Sequence, residues 1–285
     1  MKRPSWTLPV AALLSCISTA AVNMGGCGKN QSTAPSFATP PPPAVAANVV
    51  DDFEDGNLLM NINLAGASSP GGTQYAASAA PPTDPSGATV LQPVYQPPMP
   101  LGVWVASSWG GNSVNQPYLM QDGQGANGSR AYIRLFGNLV EPAPPVYAAY
   151  QLEGKLMNGA PYDALTPGFT GVSFYYKLGA ADNCPYRRFA IALQQTLPKG
   201  DDSGDGSCGT DCYDHYGSSL DPAPAGNWVL KSYPFSALSQ AFGAPVPGAL
   251  MGNRKNFVKL VWQQGRNGSP GISRVDYCVD DVRFF

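Results

Sequence analysis

The chain has 285 residues, of which only 13% are charged, and its 17 basic and 19 acidic residues give a net charge of −2. The sequence contains no basic patch that would favour nucleic acid as a partner. It also contains no basic amphipathic segment that would favour direct binding to a membrane surface. A single histidine excludes a zinc site built from several histidines.

The first 26 residues have the order of charge, apolar run and small residues that is typical of a secretory signal. Lys2 and Arg3 supply the charge, WTLPVAALLSCISTAAV supplies the apolar run, and NMGGC follows it. The run is short for a stable membrane span, and Pro9 interrupts it. We therefore predict a signal peptide over residues 1–26 that is cleaved and not retained as an anchor.

A cysteine after small residues is typical of a bacterial lipoprotein signal, and two cysteines compete for that role. LLSC, which ends at Cys16, fits the usual motif better, but the cysteine count favours MGGC, which ends at Cys27. Cleavage at Cys16 would leave Cys27 as an odd thiol in an oxidising compartment. We predict lipidation at Cys27, with Cys16 and plain secretion as alternatives. The predicted location is the bacterial cell envelope, with membrane contact only through the lipid.

Residues 27–47 are rich in Pro, Ala, Ser and Thr, a composition that cannot bury a core and predicts a semi-stiff tether. Residues 48–285 are long enough for a single large β domain. Within it, residues 65–100 are dense in Pro, Ala, Gly and Ser, and we predict a long surface insertion there.

Six short segments have the length and the β-branched or aromatic content of strands, and turn-rich sequence separates them. They are RAYIRLF (130–136), GVSFYYKL (171–178), RRFAIALQQ (187–195), NWVLKSYPF (227–235), NFVKLVWQQ (256–264) and VDYCVDDVRFF (275–285). Helical periodicity is nearly absent. The pattern predicts an all-β protein, a two-sheet antiparallel β-sandwich of the jelly-roll kind.

The strand patterns also suggest residues for a sugar-binding face, where aromatic rings pack on the sugar and polar groups bind its hydroxyls. In GVSFYYKL, Tyr175 and Lys177 lie opposite the apolar set, and in RRFAIALQQ, Arg188 and Gln194 do so. Ordinary solvent exposure of these polar sets is the alternative. Trp109, in VWVASSWGGN, is a further candidate because it lies near a loop. Trp104 is another candidate there, whereas Trp228 and Trp262 are predicted to be core residues.

A catalytic set is not recognisable in the sequence. The three glutamates, Glu54, Glu141 and Glu153, form no close acidic pair of the kind that glycoside hydrolysis needs. His215 lacks a GxSxG partner, so Asp214 and His215 in CYDHYG are predicted to fix a loop.

Four cysteines remain after the predicted signal, and an exported protein is expected to oxidise them. Cys184, Cys208, Cys212 and Cys278 predict two disulfides, for which three pairings are open.

Five segments together resemble the galactose-binding-like jelly rolls, in particular the family 11 carbohydrate-binding modules and the complex I intermediate-associated proteins. They occur in the family order from residue 49 to the end: VVDDFEDGN, YDALTPGFTGVSFYYKLG, CYDHYG, NWVLKSYPFSALSQAFG and YCVDDVRFF. The resemblance implies a β-sandwich whose first and last strands are neighbours.

The same resemblance implies a structural calcium ion between the two chain ends, since related jelly rolls hold one between an FE strand and a DD strand. Glu54 and one of Asp280 or Asp281 match those positions, and Asp52 lies beside them. Calcium prefers six to eight oxygen ligands, which converging carboxylates supply.

The function expected from this sequence is non-catalytic binding of a polysaccharide or other glycan by an exported, lipid-anchored protein. An interaction or scaffold protein of the envelope without a sugar site is the alternative, and a glycan hydrolase or lyase is a third class. The resemblance and the lack of a catalytic set favour the first.

Overall fold

A computed structural model describes residues 48–54, 56, 58, 60, 90–91, 102–110, 112, 117–141, 148–157, 161–200, 206–209, 212–220, 225–242, 246, 249–266 and 271–285. The predicted signal peptide, Cys16, Cys27, the tether and nearly all of the 65–100 insertion lie outside these residues, so those predictions stay open.

The described residues form twelve strands, and all of the pairings between these strands are antiparallel. They are β1 Val49–Asp51, β2 Val90–Leu91, β3 Val103–Trp109, β4 Tyr118–Met120, β5 Tyr132–Glu141, β6 Ala148–Lys155, β7 Gly171–Leu178, β8 Tyr186–Leu193, β9 Tyr216–Ser219, β10 Val229–Pro234, β11 Phe257–Arg266 and β12 Gly271–Phe284. Helical structure in the described residues is limited to short 3-10 segments, Ala126–Gly128, Gln194–Thr196, Phe235–Ala237 and Leu250–Asn256. None of these helices has the length and apolarity needed to cross a membrane.

The strands form two sheets that enclose one main core. The seven-stranded sheet has the order β10-β7-β12-β5-β4-β2, with β1 also paired to β12, and the five-stranded sheet has the order β3-β6-β11-β8-β9. The predicted antiparallel β-sandwich is therefore confirmed. The pairing of β1 with β12 places the first and last described strands side by side, as the resemblance implied.

The core forms because alternate residues of each strand point between the sheets. On β7 these are Val172, Phe174 and Tyr176, all fully buried. The ring of Phe174 lies 4.9 Å from that of Trp262 on β11, in the opposite sheet. Burial of each such side chain stabilises the fold by roughly 1.5–3 kcal/mol.

Two tryptophans lie where the sequence did not place them. Trp104, expected near a loop, is fully buried between the sheets, and its ring lies 5.4 Å from that of Trp262. Trp228, expected in the core, is only partly buried. It lies just before β10 and packs on the outer side of the seven-stranded sheet beside Tyr132.

One predicted disulfide is present, between Cys208 and Cys212. The prediction of a second disulfide is wrong, because Cys184 and Cys278 are not bridged to each other. Cys184 lies in the main core and donates a hydrogen bond to the carbonyl of Gly265. Cys278 lies on the outer side of the seven-stranded sheet, because its neighbours Tyr277 and Val279 point into the core. The sheet itself separates the two thiols.

Candidate functional site

The outer face of the five-stranded sheet presents side chains in rows that cross the strands. In one row, strand register aligns Trp109 of β3, Ala149 of β6, Gly265 of β11 and Tyr186 of β8. Three strand spacings, about 14 Å, separate the two aromatic residues. The row is thus a shallow trough with small residues at its centre and a ring at each end.

The next row is polar. Register aligns Ser107, Gln151, Gln263 and Arg188 across the same four strands. These positions face outward because the intervening residues, such as Leu152 and Trp262, are buried in the core. A row of amide, hydroxyl and guanidinium groups therefore runs parallel to the aromatic row.

The two rows form part of the lining of a cleft of about 340 Å³. Beyond the row residues, Tyr213 and His215 line it from the loop before β9, and Phe242 lines it from the loop after the 3-10 segment Phe235–Ala237. A cleft of this volume is in the range of small-molecule sites, which combine apolar walls with a few convergent polar groups.

Tyr213 and Trp109 form one aromatic wall. Their ring centroids lie 4.7 Å apart and the rings meet edge to face. Tyr213 has a left-handed backbone, with φ of 71°, and its amide donates to the carbonyl of Thr196 at 2.7 Å. It directly follows Cys212 of the disulfide, so the disulfide and this hydrogen bond both constrain the backbone that carries the ring.

Hydrogen bonds within the protein orient the polar floor. Gln151 Oε1 accepts from Trp109 Nε1 at 3.2 Å and lies 3.1 Å from Ser107 Oγ. Arg188, which is buried, donates to the carbonyl of His215. Groups that are held in this way lose little rotamer freedom when a ligand binds.

A buried ion pair lies further along the same face. Lys259 Nζ and Glu153 Oε2 are 2.9 Å apart, and Ser107 also donates to Glu153. Both charged side chains are almost fully buried, so each charge is compensated within the protein.

His215 is electrically neutral in this environment. Burial is the main cause that holds its pKa well below the ordinary value, and the positive charges of Lys259 and Arg188 act in the same direction. Its Nδ1 lies 2.8 Å from Thr196 Oγ1, which fixes the orientation of the ring. A neutral imidazole can donate or accept one hydrogen bond without introducing charge.

Two aromatic side chains remain open to solvent at the rim. Tyr186 is 36% exposed and Phe242 is 57% exposed. Exposed rings beside a polar floor are the surfaces on which an apolar ligand face packs.

The structure brings together only some of the predicted sugar-binding residues. Trp109 and Arg188 line the cleft. Tyr175 and Lys177 lie on β7, in the other sheet, where Lys177 Nζ lies 4.6 Å from the Tyr132 ring centroid. Gln194 begins a 3-10 turn after β8 and is not among the residues that line the cleft.

Sequence reasoning missed several cleft residues, including Gln151, Tyr186, Gln263 and Phe242. The alternation of β11 marks Gln263 as outward-facing. No local sequence signal tells to which of the two sheets β11 belongs, and therefore on which outer face Gln263 lies. CYDHYG did carry a signal, since Asp214 was predicted to fix a loop and does so through the amides of Ala241 and Phe242.

The predicted calcium ligands divide into two groups. Glu54 Oε1 accepts from Ser129 Oγ at 2.9 Å, and Ser129 also hydrogen-bonds Asp280, so the two carboxylates approach one loop. Asp281 instead pairs with Arg283 at 2.6 Å. Asp52 accepts from the backbone amide of Glu54 at 3.3 Å.

The electrostatics of Glu54 and Asp280 differ. Burial opposes ionisation of Glu54, but hydrogen bonds from Arg130, Ser129 and Ala131 outweigh it and lower the pKa. Burial raises the pKa of Asp280 to about 7, although Ala126 and Ser129 donate hydrogen bonds to it. Among the residues that the structure describes, no three His, Cys, Asp or Glu side chains are grouped for a metal. Two of the four predicted carboxylates, Glu54 and Asp280, therefore approach the same loop, and the calcium site itself stays a prediction.

Comparisons with solved structures find similarity of fold to carbohydrate-binding modules. No protein-family model and no curated protein matches it. Among solved structures it is similar to the family 11 carbohydrate-binding module of the cellulosomal cellulase Lic26A-Cel5E of Clostridium thermocellum. The two sequences are 17% identical, the match covers 64% of this chain and 86% of that chain, and the TM-score is 0.41.

Two further structures were determined with a sugar bound. One is a Clostridium thermocellum family 11 module with a β-1,3-1,4-mixed-linked tetrasaccharide, at 17% identity, 64% and 88% coverage and a TM-score of 0.41. The other is TmCBM61 with β-1,4-galactotriose, at 8% identity, 64% and 87% coverage and a TM-score of 0.32. The link to the complex I intermediate-associated proteins stays a prediction.

Proposed function

We propose that this protein is a non-catalytic carbohydrate-binding protein that holds a polysaccharide chain in the cleft on the five-stranded sheet. The observation that carries the proposal is the pair of parallel rows. Trp109 and Tyr186 offer ring surfaces at the two ends, and Gln151, Gln263 and Arg188 offer hydrogen-bonding groups between them. A sugar has an apolar ring face and a hydroxyl edge, and this cleft is complementary to both.

The carboxylates near the cleft favour binding over hydrolysis. Glycoside hydrolysis needs one acid and one base or nucleophile on opposite sides of the scissile bond. Glu153 is buried in an ion pair with Lys259, and the carboxylate of Asp214 is bound to the amides of Ala241 and Phe242. Neither is placed as such a partner in the described part of the cleft.

Export and anchoring by a lipid at Cys27 belong to the same proposal. A domain that is tethered outside the cell meets polysaccharides that a cytosolic domain does not. The sequence of residues 1–47 supports this part, and mass spectrometry of the mature N-terminus tests it: an intact Met1 on the purified cellular protein would contradict export.

The cleft is tested by titrating soluble polysaccharides and by affinity electrophoresis. We expect Trp109→Ala to weaken binding by about tenfold or more, because a stacking surface is lost. Tyr175→Ala is the matched control, since Tyr175 is a partly buried aromatic residue on the other sheet.

The opposite result, in which Tyr175→Ala abolishes binding and Trp109→Ala does not, would move the site to the seven-stranded sheet. No binding across a broad panel would favour the scaffold alternative. Release of reducing sugar would establish a hydrolase. Melting curves of both variants separate lost binding from lost folding.

A further inference from the structure

Asp214 occupies an unusual place between two cleft residues. Its neighbours Tyr213 and His215 both line the cleft, whereas the Asp214 side chain is 2% exposed and does not line it. Its Oδ1 accepts from the amide of Ala241 at 2.8 Å, and its Oδ2 accepts from the amide of Phe242 at 2.8 Å. One carboxylate therefore holds two consecutive amides of a loop 27 and 28 residues away in sequence.

The same loop has two further anchors to this region. Gln240 Nε2 donates to the carbonyl of Asp214 at 2.8 Å, and Gln240 Oε1 accepts from Val246 at 2.8 Å. Ser239 and Gly217 exchange backbone hydrogen bonds at 2.9 and 3.2 Å. The loop is thus attached to β9 and the residues before it by its backbone and by one amide side chain.

Phe242 depends on these anchors for its position. With 57% of its surface exposed, its ring is held only weakly by its own packing. It nevertheless lines the cleft, as Tyr213 does. Its location follows from the backbone, and the backbone at Phe242 is bonded directly to Asp214.

Asp214 also connects to the cleft floor. Arg188 Nη2 lies 3.9 Å from Asp214 Oδ1 and donates to the carbonyl of His215. The carboxylate therefore lies between a cationic floor residue and the two amides of the rim, and all of these groups attract its negative charge.

We propose that Asp214 is a positioning residue that sets Phe242 at the rim of the cleft, where Phe242 packs on a sugar ring and selects ligands long enough to reach it. This rests on the proposed function of the cleft. Asp214 itself does not touch the ligand. It acts through the geometry of the loop that carries Phe242.

The first test measures the loop without any ligand. In Asp214→Asn the side chain keeps its size, but its NH₂ group cannot accept from an amide. We expect backbone amide exchange at Ala241 and Phe242 to accelerate by about tenfold or more, while amides of β8 and β11 keep their rates. Unchanged exchange at Ala241 and Phe242 would overturn the proposal.

The second test compares affinities for an oligosaccharide series derived from whichever soluble polysaccharide binds the wild type. We expect Asp214→Asn and Phe242→Ala to weaken binding of the longest oligomers by a similar factor, about five- to tenfold, and the double variant to bind as Phe242→Ala does. Additive losses would overturn the proposal, because they would show that Asp214 acts elsewhere.

Two further variants are needed, one as a control and one as a second way to loosen the loop. Asp163→Asn is the matched control, because Asp163 also accepts from two nearby amides, Leu165 at 2.8 Å and Thr166 at 2.9 Å, but does not line the cleft. It should leave affinity unchanged. Gln240→Ala loosens the same loop without altering the carboxylate, and it should weaken binding of long oligomers. It replaces Asp214→Asn as the test variant if Asp214→Asn fails to fold.

The two tests separate this proposal from the function on which it rests. If the wild type binds no polysaccharide, the proposed function fails, and amide exchange alone still decides whether Asp214 positions Phe242.

Discussion

At the residue scale, His215 shows how burial controls chemistry in the cleft. The sequence presents it as a lone titratable group, but the structure keeps its ring neutral, because burial and the charges of Lys259 and Arg188 disfavour the imidazolium. A ligand therefore meets a neutral hydrogen-bonding group throughout the physiological pH range.

We expect glycan affinity to stay constant around neutral pH, because burial holds the pKa of His215 well below its ordinary value. Stability should respond differently. The folded pKa of His215 is depressed, so its contribution is present above the unfolded pKa of about 6.5 and is lost as the pH falls towards the folded pKa.

Thermal melts at several pH values check this, with His215→Asn as the comparison. The wild type should lose more stability than the variant between about pH 7 and pH 5. An NMR titration of His215 with a midpoint near its ordinary pKa would contradict the prediction.

At the element scale, the end of β12 departs from a regular strand. The register shifts between Asp280 and Arg283, and Asp281 has a left-handed backbone with φ of 49°. This irregularity turns Asp281 towards Arg283 and leaves Asp280 buried beside the loop at Ser129. A β-bulge commonly redirects a side chain in this way.

The calcium proposal is tested at this element. Without metal, burial raises the pKa of Asp280 to about 7, so its contribution to stability is present below the unfolded pKa and is lost as the pH rises through about 7. In chelator we expect stability to fall between about pH 5 and pH 8, and Asp280→Asn should lack most of that fall.

Added calcium should raise the melting midpoint of the wild type at about pH 8, because a cation compensates the buried charge. Asp52→Asn is the control and should keep the response, since among the described residues Asp52 accepts from the amide of Glu54 in its own turn. No calcium response and no metal in elemental analysis would remove calcium from the description of this protein.

At the scale of the whole molecule, one buried carboxylate joins the two sheets. Asp51 lies on β1, in the seven-stranded sheet, and its Oδ2 accepts from Trp104 Nε1 of the five-stranded sheet at 2.7 Å. Its Oδ1 accepts from the amide of Phe53 at 2.8 Å. The start of the domain is thus bonded to the centre of the core.

We expect Asp51→Ala to lower the free energy of unfolding by about 2–4 kcal/mol, because two buried donors lose a charged acceptor. Denaturant unfolding measures this. Asp163→Ala, which removes an exposed carboxylate with a similar pair of amide bonds, should cost much less. Equal losses in the two variants would mean that Asp51 does not link the sheets.

The sequence by itself determined the fold class and much of the core. Alternation marked Val172, Phe174 and Tyr176 as buried and Tyr175 as outward-facing, because a strand sends neighbouring side chains to opposite faces. The resemblance that the ordered motifs carry also implied that the first and last strands are neighbours, and the pairing of β1 with β12 confirms this.

Only the tertiary structure decided which outward-facing residues meet. Tyr175 and Arg188 show the same local pattern, yet β7 and β8 belong to different sheets, so their side chains cannot share a cleft. The pairing of β8 with β11, and of β11 with β6, brings Arg188 to Gln151 and Tyr186 towards Trp109. Alternation separates inside from outside within a strand, but long-range pairing and register assemble a site from several strands.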